Sequence, residues 1–331
     1  MNEDREKTNI ILEVENLKTY FRTFEGLLKA VDGVSFSISE KETLGIVGES
    51  GCGKTVTALS IMRLIQCPPG KVEGRIFFLS QDLLKIGNNK MQEIRGNKIS
   101  MIFQNPMSSL NPAFTIGFQV SESFILHQGL NRNEAWERAI SILDKVKIPS
   151  PKQTVLNYPH RLSGGMLQRV MVAMALSCNP ALLIADEPTT ALDVTIQSQI
   201  IELISQLQSE LNTSVILISH NLGVVAEITQ NVLVLYAGKT VEKCSTIELF
   251  NNPQHPYTQG LLASIPKINK DVVFAKTKLK EIPGTVPNLT NLPGGCSFHP
   301  RCEKRISTCT HEDPPLVEIL NGHWIRCWLF L

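Results

Sequence analysis

The run Gly48-Glu-Ser-Gly-Cys-Gly53-Lys54-Thr55 constrains this chain more than any other feature. It follows a short apolar segment, Leu44-Gly-Ile-Val47, and precedes a helical pattern over 56–64. A glycine-rich turn between a buried strand and a helix is the context of a phosphate-binding P-loop. Glycines let the backbone of Gly48, Glu49, Ser50, Gly51, Cys52 and Gly53 curl until several N–H groups face one anion. Lys54 then reaches the β- and γ-oxygens of a nucleotide, and the Thr55 hydroxyl is a ligand for Mg²⁺. The helix dipole adds only about 0.3–2 kcal/mol. Lys54, the backbone donors and the metal must therefore carry most of the binding.

The remaining pattern is that of an α/β sheet. Ala181-Leu-Leu-Ile-Ala185 and Val215-Ile-Leu-Ile218 are, like 44–47, short continuous apolar runs, as parallel strands covered on both faces require. Helical spacing separates them, as in Ile196, Ile200, Leu203, Leu207 and Leu211. Near the N-terminus Leu12, Val14, Val34, Phe36 and Ile38 alternate with polar residues, which predicts antiparallel strands with one wet face. A helical stretch over about 107–162 interrupts the alternation. Within it Trp136, Ala139, Ile140, Leu143 and Val146 mark one amphipathic helix stopped by Pro149 and Pro151. Residues 231–243 read as a hairpin turning at Ala237-Gly238. Beyond about 265 prolines leave no long periodic run. No internal repeat is visible.

Two further segments carry chemistry. Asp186-Glu187 closes the second apolar strand, where an aspartate can hold Mg²⁺ through its water shell and the next carboxylate can act as general base; a plain strand-ending acidic pair is the alternative. In Leu162-Ser-Gly-Gly-Met166, Ser163 is a natural N-cap for a helix running to Leu176. With Gly164 and Gly165 it forms a second anion-binding helix terminus. One nucleotide does not need two such termini from one chain. They make sense if chains pair head to tail, each P-loop facing the other chain's Ser163.

With these motifs in this order, the chain resembles an ABC transporter nucleotide-binding subunit over roughly residues 10–265. The resemblance implies a P-loop NTPase (RecA-like) α/β core with an antiparallel β subdomain and an inserted helical subdomain. It also implies ATP hydrolysis with Mg²⁺. Gln104, after Ile102-Phe103, would sense the metal or the attacking water; Asp193, in Ala191-Leu-Asp193, would organise a dimer interface; and His220 would contact the γ-phosphate. An aromatic stacking on adenine is expected from Phe21, with Tyr20 as second choice. Met166 stands where the family usually has glutamine, and Asn221 where aspartate is commoner; neither removes a phosphate contact.

A narrower resemblance is to dipeptide and oligopeptide importers, a branch that also contains nickel and other small-solute importers. It rests on Gln104-Asn-Pro-Met-Ser-Ser-Leu-Asn-Pro112, Pro253-Gln-His-Pro-Tyr-Thr258 and the tail Gly295-Cys-Ser-Phe-His-Pro-Arg-Cys302 through Cys327-Trp328. It implies a second ATPase subunit, usually a paralogue, two transmembrane permease subunits and an extracytoplasmic solute-binding protein. ABC proteins acting on ribosomes or DNA carry two cassettes, long coiled coils or basic surfaces; one cassette and a net charge of +1 argue against that class and against nucleic acid. No apolar run approaches the roughly 18 residues of a membrane span, and the charged start MNEDREKTNI is no secretory signal. A cytoplasmic-face location follows, with the membrane reached through partners.

The C-terminal domain, residues 266–331, holds Cys296, Cys302, Cys309 and Cys327. In a reducing compartment such a cluster suits a metal better than disulfides. Intervals of five, six and seventeen residues contain no Cys-x-x-Cys pair, which disfavours structural zinc. Four thiolates also suit a [4Fe–4S] cluster, which the resemblance associates with this branch. Reduced cysteines without metal remain the third alternative. His255 and His299 read as structural histidines in proline-rich turns.

Overall fold

Continuous burial on both faces makes three parallel strands in the first of two units. The computed structural model describes residues 9–190, 192–265 and 281–331. Ala191, the charged residues 1–8 and the start of the tail lie outside that description. The first unit includes 37–43 and 77–218. Its strands Ile99–Ile102, Leu182–Asp186 and Ser214–Ile218 pair in parallel, with Ile99 opposite Leu182 and Leu182 opposite Ser214. The last two are buried along their whole length, so each needs covering helices. Val194–Leu211 supplies one, burying Ile200, Leu203 and Leu207 as its spacing predicts.

Between Ile99–Ile102 and Leu182–Asp186 the chain is helical. Ile116–Gln128 starts at Thr115, whose side chain accepts from Phe118 N, and stops at Gly129 in a left-handed conformation. Arg132–Lys145 opens with a capping box in which Asn131 and Glu134 satisfy each other's backbone N–H groups. Such a cap is worth about 1 kcal/mol. The helix buries Ala135, Ala139 and Leu143. Gly164–Leu176 follows, capped by Ser163.

The second unit comprises 14–36, 44–76 and the described residues from 219 onward. Strands Gly26–Ser39, Ile10–Thr23 and Gly70–Phe78 are neighbours in that order. The two-residue link at 24–25 makes the first two antiparallel. The strand leading to the P-loop, Thr43–Val47, pairs in parallel with Asn231–Tyr236 from Leu44 onward. The hairpin to Lys239–Ser245 turns where expected. Ala237 and Gly238 both have positive φ, 47° and 81°, the requirement of a two-residue type I′ turn.

Two short strands of the tail extend the sheet. His323–Ile325 pairs antiparallel with Lys239–Ser245, and Val317–Leu320 pairs with His323–Ile325. Phe298 inserts among Tyr236, Tyr257 and His255, with ring centroids 5.2, 5.4 and 5.8 Å away. Aromatic pairs of this kind contribute about 0.5–1.5 kcal/mol each beyond burial. Beneath them Glu242, fully buried, accepts from Gln254 N, His255 N and His323 Nε2 at 2.8, 3.0 and 2.8 Å. These bonds tie the strand of the tail to the hairpin.

Candidate nucleotide and metal sites

The P-loop in the second unit rests on the hairpin. Gly48 has φ of 150°, and a Cβ there would collide with the Leu235 carbonyl oxygen. Gly53 has φ of 103° and caps the helix Lys54–Ile61; a Cβ on it would collide with the Ala30 carbonyl oxygen. Gly238 N donates to Cys52 O at 3.0 Å, and Cys52 is fully buried, which pushes its thiol pKa up. The Lys54 ammonium donates to Gly48 O at 2.8 Å and Glu49 O at 3.1 Å. Thr55 is exposed on the first helical turn. Gly48→Ala is expected to abolish detectable nucleotide binding, because the loop must move away from Leu235 to admit the methyl group. A titration with a fluorescent ATP analogue checks this, and binding within threefold of the unaltered chain contradicts the packing argument.

Glu49 has partners that the sequence does not suggest. Its N–H donates to Tyr257 Oη at 2.8 Å, and its carboxylate receives Arg301 Nη1 and Nη2 at 2.7 and 3.0 Å. The Arg301 pKa is raised, chiefly through that bond. Tyr257, buried against its neighbours, has its phenol pushed up by desolvation. Nearby in the same unit, Tyr20 donates to Asp32 at 2.5 Å, so its hydroxyl is committed within the sheet. Phe21, beside it on the same strand, is partly exposed. His220 is exposed in the loop before Leu222–Ile228, and Asn221 caps that helix by accepting from Gly223 N. Aspartate would cap equally well, so nothing in the structure explains asparagine at 221.

In the first unit Asp186 ends its strand 1 % exposed. Glu187 follows with φ of 46°. A left-handed glutamate is costly and persists where surroundings over-determine it. Here its N–H donates to Ile218 O at 2.9 Å. Its Oε2 accepts from Gln104 Nε2 at 2.8 Å and Thr190 Oγ1 at 2.9 Å. Gln104 and Glu187, 83 positions apart, thus form one polar group. Asp193 accepts from Ile196 N at 3.0 Å and caps Val194–Leu211.

Ser163 Oγ accepts from Met166 N at 3.4 Å, the N-cap bond expected from sequence. Ser163 and Gly164 are exposed, which leaves the helix terminus accessible to an anion. A Cβ on Gly165 would lie 3.0 Å from Ile196 Cγ2, so the small residue permits close packing of two helices. Met166 contributes only its backbone N–H to the cap.

The four tail cysteines converge. Cys296 N donates to Cys309 O at 2.9 Å. Burial pushes the Cys296 thiol up to about 11, with Cys309 and Cys327 adding to the shift. Cys302 and Cys327 are raised by burial first, then by other members of the four. None is in a disulfide. Among the described residues the three ligand atoms found within 4.8 Å of one another are those of Glu242, Cys244 and His323. Glu242 there is already engaged by three N–H donors. No three of the tail sulfurs come that close. A single tetrahedral zinc with Zn–S of about 2.3 Å needs sulfurs about 3.8 Å apart. Four cysteine donors are a ligand set that a zinc ion or a [4Fe–4S] cubane can take, so the residues present fit either group in kind.

A family model described as "ABC transporter" matches residues 31–190. One described as "Oligopeptide/dipeptide transporter, C-terminal region" matches 241–309. The chain is 51 % identical over 321 residues to the oligopeptide transport ATP-binding protein AppD of Bacillus subtilis, covering 97 % of each. It is 49 % identical to a probable peptide ABC transporter ATP-binding protein of Sinorhizobium fredii, covering 97 % of this chain and 96 % of that one. Among solved structures it resembles the ATP-binding cassette MJ0796, determined as a dimer with ADP and Pi. The TM-score is 0.64 at 26 % identity, over 71 % of this chain and 98 % of that one. The cbiO1 subunit of Clostridium perfringens gives 0.62 at 27 %, over 74 % and 92 %.

Proposed function

The chain belongs to the ABC transporter family, and from that premise we propose that it powers peptide import into a bacterium as one ATP-hydrolysing subunit of a larger assembly. The observation that carries this reading is the likeness to oligopeptide transport ATP-binding proteins along nearly the whole chain, tail included. Lys54 and the backbone of 48–53 bind the phosphates, and Thr55 and Asp186 hold Mg²⁺. Glu187 is the general base, with Gln104 beside it and His220 directed to the γ-phosphate. Phe21 stacks on adenine; its partly exposed ring, against the committed Tyr20 hydroxyl, favours it.

Two chains close head to tail around two ATP molecules, each held between one P-loop and the opposite Ser163 terminus, with Asp193 at the interface. The partner is a paralogue of this chain. No helix among the described residues is long and apolar enough to cross a membrane. Solute movement therefore falls to two permease subunits, fed by an extracytoplasmic binding protein. Exposed Phe103, Met107, Phe114 and Phe118 lie on both sides of Gln104 and on the helical insertion, which suits docking to a permease at the cytoplasmic face. Cys296, Cys302, Cys309 and Cys327 hold a [4Fe–4S] cluster that pins the tail. Nickel or another small solute is the second substrate reading, since this subunit does not touch the cargo.

Mixed dimers of two copies test the sandwich. A Ser163→Arg chain and a Lys54→Ala chain are each expected to be nearly inactive alone. Mixed, they regain hydrolysis through one composite site. Donors supplied across an interface are worth about 10³–10⁵ in phosphoryl-transfer rate. Normal hydrolysis by either variant alone rules the arrangement out.

A further inference from the structure

Arg301 sits in the tail, immediately before Cys302, yet both of its terminal nitrogens end on the P-loop. Its side chain is 4 % exposed, while that of Glu49 is 28 % exposed. A guanidinium has five N–H groups, and here five bonds take them up. Nε donates to Pro283 O at 2.9 Å. Nη1 donates to Glu49 Oε2 at 2.7 Å and to Tyr236 Oη at 3.5 Å. Nη2 donates to Glu49 Oε1 at 3.0 Å and to Ile282 O at 3.4 Å. The guanidinium also lies 5.8 Å from the Tyr236 ring centroid and 6.0 Å from that of Phe298. A planar fork locked on every donor holds its carboxylate in one place.

We propose that Arg301 is a positioning residue for nucleotide binding, which keeps the negative charge of Glu49 from opposing the triphosphate and fixes the first turn of the P-loop. The reasoning is electrostatic. Glu49 is a carboxylate inside a loop whose task is to receive an anion. Lys54, the loop's cation, already lies 3.1 Å from the Glu49 carbonyl. Without Arg301 the carboxylate competes for that ammonium and repels phosphate. With Arg301 the pair is neutral, and Tyr257 holds the same residue by its N–H. The tail thereby supplies part of the ATP site rather than merely decorating it.

The inference rests on ATP binding at this loop, and the test separates the two. Full-length chains carrying Arg301→Gln are titrated with fluorescent analogues of ATP, ADP and AMP. ATP is expected to bind about tenfold more weakly, ADP less so, and AMP nearly as in the unaltered chain, because the penalty scales with phosphate charge. Adding Glu49→Gln to the same chain removes the unpaired charge and recovers most of the lost affinity. A merely structural arginine predicts equal losses for all three nucleotides and a double variant no better than the single one. Either result overturns the proposal, as does ATP binding by Arg301→Gln within twofold of the unaltered chain. Should Arg301→Gln fail to fold, Arg301→Lys keeps the charge without the fork. It then binds ATP more weakly than the unaltered chain but with the ATP-to-ADP preference preserved; loss of that preference overturns the charge argument. Failure of the unaltered chain to bind ATP would instead remove the functional reading itself.

Discussion

Glu187→Gln is expected to leave ATP binding intact and to lower steady-state hydrolysis at least tenfold, and up to the roughly 10²–10⁴-fold that a general base contributes. The glutamine oxygen can still accept from Gln104 and Thr190, which meet Glu187 Oε2 at 2.8 and 2.9 Å. Glutamine carries the same backbone cost as glutamate at this left-handed position, φ of 46°, so the substitution adds no new strain. Geometry is thus retained while basicity is lost. ATP-loaded dimers of this variant should accumulate and elute early in size-exclusion chromatography. Phosphate release measured at near-normal rate would remove Glu187 from the catalytic role and leave it as a polar anchor for Gln104.

Protein purified without oxygen is expected to be brown, to absorb broadly around 400 nm and to carry about four irons per chain. The donor set behind this is Cys296, Cys302, Cys309 and Cys327, all outside disulfides. Burial raises the thiols of Cys296, Cys302 and Cys327. Their deprotonation therefore needs a strongly bound cation, and cluster occupancy should fall as the medium is acidified. Cys309→Ser is expected to eliminate the colour and expose the tail to protease between 281 and 331, while the Glu242 bonds and the paired strands keep the rest of the unit folded. Colourless anaerobic protein with one zinc, or with no metal, refutes the cluster and leaves the ATPase assignment standing.

Much of the local structure around the candidate site was legible because its signals are local. The apolar periodicity of 194–211 gives the helix Val194–Leu211, and Ser163 caps the helix Gly164–Leu176 as its residue type predicts. Ala237-Gly238 turns the hairpin for the same kind of reason: positive φ is needed at both positions. The P-loop, the Asp186-Glu187 strand end and the spare anion terminus were all readable from residue type and order. Caps, turns and helical faces depend on residues within about four positions of one another. A single chain displays those relations openly.

The contacts of Glu49 were not legible in that way. Arg301 lies 252 positions away and Tyr257 lies 208, and no periodicity connects such distant residues. The tail strands Val317–Leu320 and His323–Ile325, four and three residues long, are too short to show a period; their pairing depends on the edge that Lys239–Ser245 offers. Asp193 illustrates the converse: its place in a motif suggested an interface, while the structure also gives it a cap that any helix start would use. Residue types and their local order determined the chemistry this chain can perform. Only tertiary structure decided which distant charge meets the phosphate loop, because pairing the Glu49 carboxylate with a buried guanidinium depends on where the fold brings two remote segments together.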